Sequence, residues 1–170
     1  TINKHLVINS GFARLPGINL FYRHLLPFFP VAASNLSKKL HAAHDISPYD
    51  LVISVSHCFA KNVVVPRGVP HLCYSLTPMR YIWDQYESYF ANSKLEPLIR
   101  IVARELQRWD VARVSNVTKF VGISEFIRAR IGRVYHRDAS VVYPPVRTDW
   151  ITPASPNETA QGFLCVNALV

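Results

Sequence analysis

Apolar residues along this chain are concentrated in four short runs, at residues 50–56, 71–76, 119–123 and 140–143. The first two runs are continuous and of strand length, which predicts parallel strands that are covered on both faces. The other two runs predict the third and fourth strands of the same sheet. A further apolar run at residues 162–170 predicts another buried strand.

Two stretches between these runs carry the spacing of amphipathic helices. Between Leu95 and Arg113, large apolar residues recur every three or four positions, and charged residues lie mostly on the other side. The predicted inner face of this helix consists of Leu98, Val102, Leu106 and Trp109. Ser124 predicts the N-cap of a second helix. Its predicted inner face consists of Ile127, Ile131 and Val134.

Strands that alternate with helices predict an α/β fold with a Rossmann-like, mainly parallel sheet flanked by helices. Residues 1–147 form the predicted domain, residues 148–161 a polar linker, and residues 162–170 the first strand of a second domain. Between residues 12 and 40, three prolines predict that any helices are short. A start without Met and an apolar end lead us to expect a chain that is cut at both ends.

Nineteen Lys and Arg residues against eleven Asp and Glu residues give the chain a formal charge of +8. This excess favours anionic partners such as phosphates, nucleic acid or an anionic lipid surface, and a nucleic-acid partner rests on the charge alone. No apolar stretch approaches the roughly 20 residues that span a bilayer. Cys58, Cys73 and Cys165 lack Cys-x-x-Cys spacing, which predicts reduced core residues and neither a zinc site nor a disulfide framework.

Polar or basic residues follow three of the predicted strands, at residues 57–61, at residues 77–81 and at residues 124–125. Ligands of open parallel sheets bind at the carboxyl ends of the strands, so we expect these segments to converge on one edge. His57 is a candidate hydrogen-bond donor or proton shuttle, because imidazole titrates near neutral pH. A histidine bonded to a neighbouring loop is the structural alternative.

Cations and aromatic rings add further candidates at the same edge. Arg80 has a fork of donors suited to a diphosphate, and Lys61 would add a point charge, although both are also typical solvated loop charges. Ser124 opens a helix whose free amide groups attract anions, and a plain N-cap is the alternative. Aromatic side chains suited to stacking on a ligand, to lining a lipid path or to a helix core are Tyr81, Trp83 and Tyr86.

Two basic segments are candidate contacts with an anionic membrane surface. One is the aromatic segment at residues 20–29, for which core packing is the alternative. The other is a predicted solvated helical face, formed by Arg128, Arg130, Arg133, His136 and Arg137. The chain has no paired acid–base carboxylates, glycine-rich phosphate loop or nucleophile elbow. The residues by themselves therefore indicate an anion-binding α/β domain without naming a reaction.

Several sequence motifs follow one another in a specific order. They are YDLVISVSHCFAK at residues 49–61, CYSLTPMRYIWD at residues 73–84, RWD at residues 108–110, FVGIS at residues 120–124 and VYPPV at residues 142–146. Together these motifs closely resemble the first domain of glycosyltransferase family 4 enzymes, in the branch that includes mannosyltransferases of polysaccharide assembly. The resemblance extends over nearly the whole chain.

This resemblance implies the GT-B architecture, in which two Rossmann-like domains face each other across a cleft. The first domain would bind a glycan or lipid-linked acceptor and the second a nucleotide sugar, with GDP-mannose as a candidate donor. Transfer would retain the anomeric configuration and need no metal or other cofactor. Cationic groups and helix N-termini that stabilise the departing phosphate would carry much of the catalysis. The expected location is cytoplasmic, peripheral at the inner face of the plasma membrane.

The strand-end residues and the matched motifs together give one predicted substrate-binding set. It consists of His57, Lys61, Thr77, Arg80, Tyr81, Trp83, Asp84 and Ser124. Only His57 is a candidate catalytic residue.

Two departures from the family pattern predict that this polypeptide alone does not transfer sugar. Leu76 stands where the branch usually has a histidine that points into the cleft, and leucine cannot donate a hydrogen bond. The glycine-rich first loop of the family is expected before Thr1. The alternative function is therefore a degenerate, catalytically inactive module that binds an acceptor or serves as a scaffold.

Overall fold

Helices and strands alternate through the computed structural model, which describes residues 28–46 and 48–149. The helices are α1 (Phe29–Ile46), α2 (Tyr86–Phe90), α3 (Glu96–Ala112) and α4 (Glu125–Tyr135). The strands are β1 (Val52–Ser56), β2 (His71–Ser75), β3 (Lys119–Gly122) and β4 (Ala139–Val141), with short 3-10 helices at Ala60–Asn62 and Arg113–Asn116.

The four strands form one parallel sheet in the order β1-β2-β3-β4. The α/β prediction with a parallel sheet and flanking helices is thereby confirmed, and the arrangement is consistent with a Rossmann-like fold. The predicted linker at residues 148–161 lies almost wholly outside the described residues. The predicted strand at residues 162–170 and Cys165 lie entirely outside them.

One face of the sheet carries the core. Cys73 of β2 and Phe120 of β3 are adjacent in the sheet register, and both are fully buried beneath α4. The Tyr135 ring stacks on Phe120, with ring centroids 5.7 Å apart. The Ser37 hydroxyl of α1 accepts a hydrogen bond from the Val64 amide, so α1 joins the same layer beside α3. Right-handed crossovers between strands that follow the chain order place their connecting helices on one side of the sheet.

The opposite face of β1 is open within the described residues. The side chains of Ile53 and Val55 are 61% and 60% exposed, whereas Ser54 and Ser56 between and beyond them are buried. The prediction that this strand is covered on both faces is therefore wrong for the described part of the chain. Apolar composition alone did not reveal it, because the two buried positions are the serines.

Three helix predictions met different outcomes. Residues 95–113 do form a long helix, and its predicted inner face is confirmed at Leu106, which is buried, and at Val102 and Trp109, which pack against the core. The prediction is wrong for Leu98, which is exposed, and α3 also buries Ala103 and Asp110. The prediction of short helices is wrong for α1, which runs for 18 residues because Pro30 lies in its first turn, where a missing N–H costs nothing.

The prediction for α4 is confirmed. The Ser124 hydroxyl caps the helix by accepting a hydrogen bond from the Ile127 amide. Ile127, Ile131 and Val134 are buried, as the spacing predicts.

Cys58 and Cys73 are free and buried, as predicted for core thiols. Burial raises the pKa of the Cys73 thiol to about 11. No helix in the described ranges is long and apolar enough to cross a membrane.

Candidate functional site

The carboxyl ends of β1, β2 and β3 meet at one edge of the sheet. Ser56, Ser75 and Gly122 are aligned across these three strands. The ladder continues one residue further, since the Leu76 amide donates to the Ser56 carbonyl over 2.8 Å and the Ile123 amide to the Ser75 carbonyl over 3.2 Å. The residues that follow, His57, Thr77 and Ser124, therefore start from the same edge.

His57 and Arg80 follow two neighbouring strands at this edge and lie close enough for their charges to interact, so we treat them as a pair. Partial burial lowers the pKa of His57, and the positive charge of Arg80 lowers it further. The imidazole is therefore neutral near pH 7. Arg80 is half-buried, its side chain interacts with the Tyr81 hydroxyl, and no carboxylate of the described residues lies within ion-pair distance of its guanidinium. The pair thus combines a neutral imidazole with a cation whose charge is not matched by a carboxylate of the described chain.

Lys61 has the opposite surroundings, although it also follows a strand. Its ammonium nitrogen lies 2.8 Å from Asp110 Oδ1 and donates to the Asp110 carbonyl over 3.0 Å, and both side chains are almost completely buried. Burial lowers the pKa of Lys61, and the Asp110 charge opposes that shift. The 3-10 helix at Ala60–Asn62 directs the side chain inward, which agrees with a structural role and removes Lys61 from the open edge.

Asp110 is the centre of a buried cluster that sequence reasoning missed. Its carboxylate accepts hydrogen bonds from Asn62 Nδ2 over 2.9 Å, from Trp83 Nε1 over 3.0 Å and from the Tyr135 hydroxyl over 2.9 Å. Burial, followed by the Asp110 charge, raises the pKa of Tyr135 far above its usual range. A usable signal existed, because position 110 is in helical phase with the buried positions 103 and 106. We refer to Lys61, Asn62, Trp83, Asp110 and Tyr135 as the Asp110 cluster.

The aromatic candidates lie mainly in the core beside α3. The Tyr81 ring contacts Tyr89 edge-on, with centroids 4.8 Å apart. Tyr86 is buried in the apolar cluster that packs against α3, and the Trp83 Nε1–H donates a hydrogen bond to the Asp110 carboxylate. These contacts agree with the core interpretation of the three aromatic residues.

Thr77 and Asp84 are engaged by one arginine of α4. The Thr77 hydroxyl accepts a hydrogen bond from Arg130 Nη1 over 2.7 Å, and Asp84 Oδ2 lies 2.6 Å from Arg130 Nε and 3.8 Å from Arg133 Nη2. Arg130 is only 5% exposed, so the predicted solvated face is wrong at this position. The physical reason is that the loop after β2 covers this side of α4.

Other members of the predicted basic face differ among themselves. Arg137 donates hydrogen bonds to the Val117 carbonyl over 3.1 Å and to the Thr118 carbonyl over 3.2 Å. These bonds hold the segment just before β3 in place. Arg128, Arg133 and His136 are exposed, and Arg128 pairs with Glu125. Only the exposed members remain candidates for an anionic surface.

Gly122 brings the end of β3 unusually close to α4. A Cβ at this position would lie 3.1 Å from the Arg128 amide nitrogen and 3.3 Å from the Ser124 carbonyl oxygen. A larger residue would therefore push the first turn of α4 away from the sheet edge. Ser124 is placed at that edge as a half-buried N-cap.

The beginning of α3 presents an apolar patch to solvent. Leu95, Leu98 and Ile101 are each 60% exposed, with Lys94 before them and Arg104 after them. Ala103 and Leu106 of α3 pack with Cys58 and Met79, which follow β1 and β2, so α3 lies beside the carboxyl edge of the sheet. Of the aromatic segment at residues 20–29, the structure describes only the exposed side chain of Phe28.

In residues 28–46 and 48–149, no three His, Cys, Asp or Glu side chains are grouped so that they could hold a metal ion. Comparison with family models, with curated proteins and with solved structures finds no match to this chain. The resemblance to glycosyltransferase family 4 therefore stays a prediction.

Proposed function

We propose that this chain is the acceptor-side part of a retaining glycosyltransferase with the GT-B architecture. In this proposal the enzyme transfers a sugar, with mannose as the first candidate, from a nucleotide sugar to a glycan or lipid-linked acceptor. The observation that carries the proposal is the pair of His57 and Arg80 at the carboxyl edge of the parallel sheet. This edge is where open α/β sheets bind their ligands.

The two side chains suit an acceptor that joins a sugar to a phosphate. A neutral imidazole both accepts and donates hydrogen bonds, which matches a sugar hydroxyl. A guanidinium binds two phosphate oxygens through parallel N–H donors, and such charge-assisted bonds are about twice as strong as neutral ones. Because Arg80 has no carboxylate partner among the described residues, its charge is free to meet a diphosphate.

A lipid-linked acceptor also agrees with an exposed apolar surface on α3. The apolar patch of Leu95, Leu98 and Ile101, with Lys94 next to it, is at the start of α3, the helix that packs at the carboxyl edge. Apolar side chains next to cations favour contact with an anionic membrane surface. We propose a peripheral position at the cytoplasmic membrane, with this patch toward the lipid.

Binding of a short-chain prenyl-diphosphate mannoside, measured by isothermal titration calorimetry, tests the proposal. Methyl mannoside, which lacks the diphosphate, serves as the matched ligand. We expect Arg80→Met to weaken binding of the diphosphate compound by about tenfold or more, equivalent to about 1.4 kcal/mol. The matched control variant is Arg128→Met, which removes an exposed arginine from α4 and should leave the affinity unchanged. Equal affinities for wild type and Arg80→Met would contradict the proposal.

A degenerate acceptor-binding or scaffolding module is the second candidate function. It is favoured by Leu76, which is half-buried at the sheet edge and offers no hydrogen bond from its side chain to a ligand. A Leu76→His variant separates the two candidates. A gain in affinity for methyl mannoside would favour an impaired transferase site, and an unchanged affinity would favour the module.

A further inference from the structure

We propose that Arg130 is a positioning residue that holds the loop carrying Arg80 against α4. This inference rests on the proposed function, because it gives the role of Arg130 in terms of the pair formed by His57 and Arg80. The contacts bracket Arg80 in the sequence. Arg130 Nη1 donates to Thr77, three residues before Arg80, and Arg130 Nε lies 2.6 Å from Asp84, four residues after it.

The loop between these two contacts is well placed to orient one side chain. Met79 and Ile82 are fully buried, and Gln107 of α3 donates to the Ile82 carbonyl. Arg80 is half-buried between the two anchored residues. The loop is therefore held by α3 through Gln107 and by α4 through Arg130, and Arg80 lies in the segment between these contacts.

The hydrogen bonding of Arg130 is incomplete, which argues against a role in stability alone. Its Nη2 has no hydrogen-bond partner in the described part of the chain, and the Nε–H is not aligned with the Asp84 carboxylate despite the short distance. A buried guanidinium with unsatisfied donors contributes little net stability, and apolar replacements of buried ion pairs are often neutral. Replacement of Arg130 also leaves Asp84 exposed to water rather than stranded in the core.

The side chain of Arg130 runs back along its helix toward the N-terminus. Its guanidinium carbon lies 5.8 Å from the centroid of the Phe126 ring, one turn earlier in α4. The Arg130 guanidinium is thus held at the carboxyl edge by its contacts with Phe126 and with Thr77. A lysine at this position would keep the charge but could not span both loop contacts.

The pKa of His57 depends on how close the Arg80 charge lies, so it reports the position of Arg80 when no acceptor is bound. We measure this pKa by NMR on the isolated chain. The imidazole signal is assigned by its loss in His57→Gln. Arg80→Met should raise the pKa of His57 by removing the neighbouring charge. If Arg130 positions Arg80, then Arg130→Lys should raise the pKa in the same direction while the number of charges stays constant. Thr77→Val, which removes one anchor and keeps Arg130, should cause a smaller rise.

The matched control is Arg128→Met, which lies on the same helix and should leave the His57 titration unchanged. A wild-type His57 pKa in both Arg130→Lys and Thr77→Val, together with a shift in Arg80→Met, would overturn the inference. An unchanged His57 pKa in Arg80→Met would show that the two residues do not interact. Both the pair of His57 and Arg80 and the positioning role of Arg130 would then be rejected. Failure to bind the diphosphate mannoside, combined with the expected pKa shifts, would reject the proposed function and leave the positioning role supported.

Discussion

Two cations that follow neighbouring strands have opposite environments in this molecule. Lys61, after β1, is buried against Asp110 in a cluster of five residues. Arg80, after β2, is half-buried beside His57 and has no carboxylate partner in the described residues. A matched buried charge serves the fold, whereas an unmatched cation at a sheet edge is available to a ligand. The comparison shows that a position after a strand is not sufficient to identify a binding residue.

The largest expected effect comes from the buried side of this comparison. Asp110→Ala would leave the Lys61 ammonium buried without its counter-charge and remove the acceptor of Trp83 and Tyr135. We expect a loss of about 3–5 kcal/mol in the free energy of unfolding, measured with urea. Glu105→Ala on the same helix removes only an exposed ion pair and serves as the control. Equal losses for both variants would contradict the structural role of the Asp110 cluster.

A smaller effect is expected from the pH dependence of stability. His71 is fully buried, with Nδ1 3.0 Å from the Asn116 carbonyl and Nε2 2.8 Å from the Ser54 hydroxyl. Burial lowers the pKa of His71 and the Lys61 charge lowers it further, while the bond to Asn116 opposes the shift. At a pH below the ordinary histidine pKa near 6.5, the unfolded chain therefore binds a proton at His71 that the native state does not bind.

The contribution of neutral His71 to the free energy of unfolding is thus complete above about pH 6.5. It is lost as the pH falls toward the lowered native pKa. We expect a slope of at most about 1.4 kcal/mol per pH unit from this group, measured by urea unfolding between pH 7.5 and pH 5. His71→Gln should flatten that slope. His57→Gln should flatten it less, because His57 is only partly buried whereas His71 is completely buried. A wild-type slope in His71→Gln would show that His71 does not cause the pH dependence of stability.

The smallest effect on stability is expected at the open edge. Arg80→Met should leave the free energy of unfolding within about 0.5 kcal/mol of wild type, because Arg80 is only half-buried and has no ion pair among the described residues. Urea unfolding of Arg80→Met and of Asp110→Ala under the same conditions compares the two losses in the free energy of unfolding directly. A loss approaching that of Asp110→Ala would show that Arg80 serves the fold and would weaken the contrast between the two cations.

Much of the fold was predictable, because strand and helix periods are local properties of the sequence. The four strands and the cap at Ser124 were recognised from such patterns. The burial of Lys61 and Arg130 was not, since each depends on a partner about 50 positions away, Asp110 and Thr77 respectively. The exposed face of β1 was missed because strand composition does not report which side the crossover helices cover.

The most direct test of the proposed acceptor site is an NMR titration of the labelled chain with the short-chain prenyl-diphosphate mannoside. We expect saturable shifts that are largest at the imidazole of His57 and at the backbone amides of Thr77 and Arg80. The Lys61 and Asp110 amides should move little. Shifts confined to the exposed Arg128 and Arg133 side of α4, or no saturable shifts at all, would contradict the proposed acceptor site.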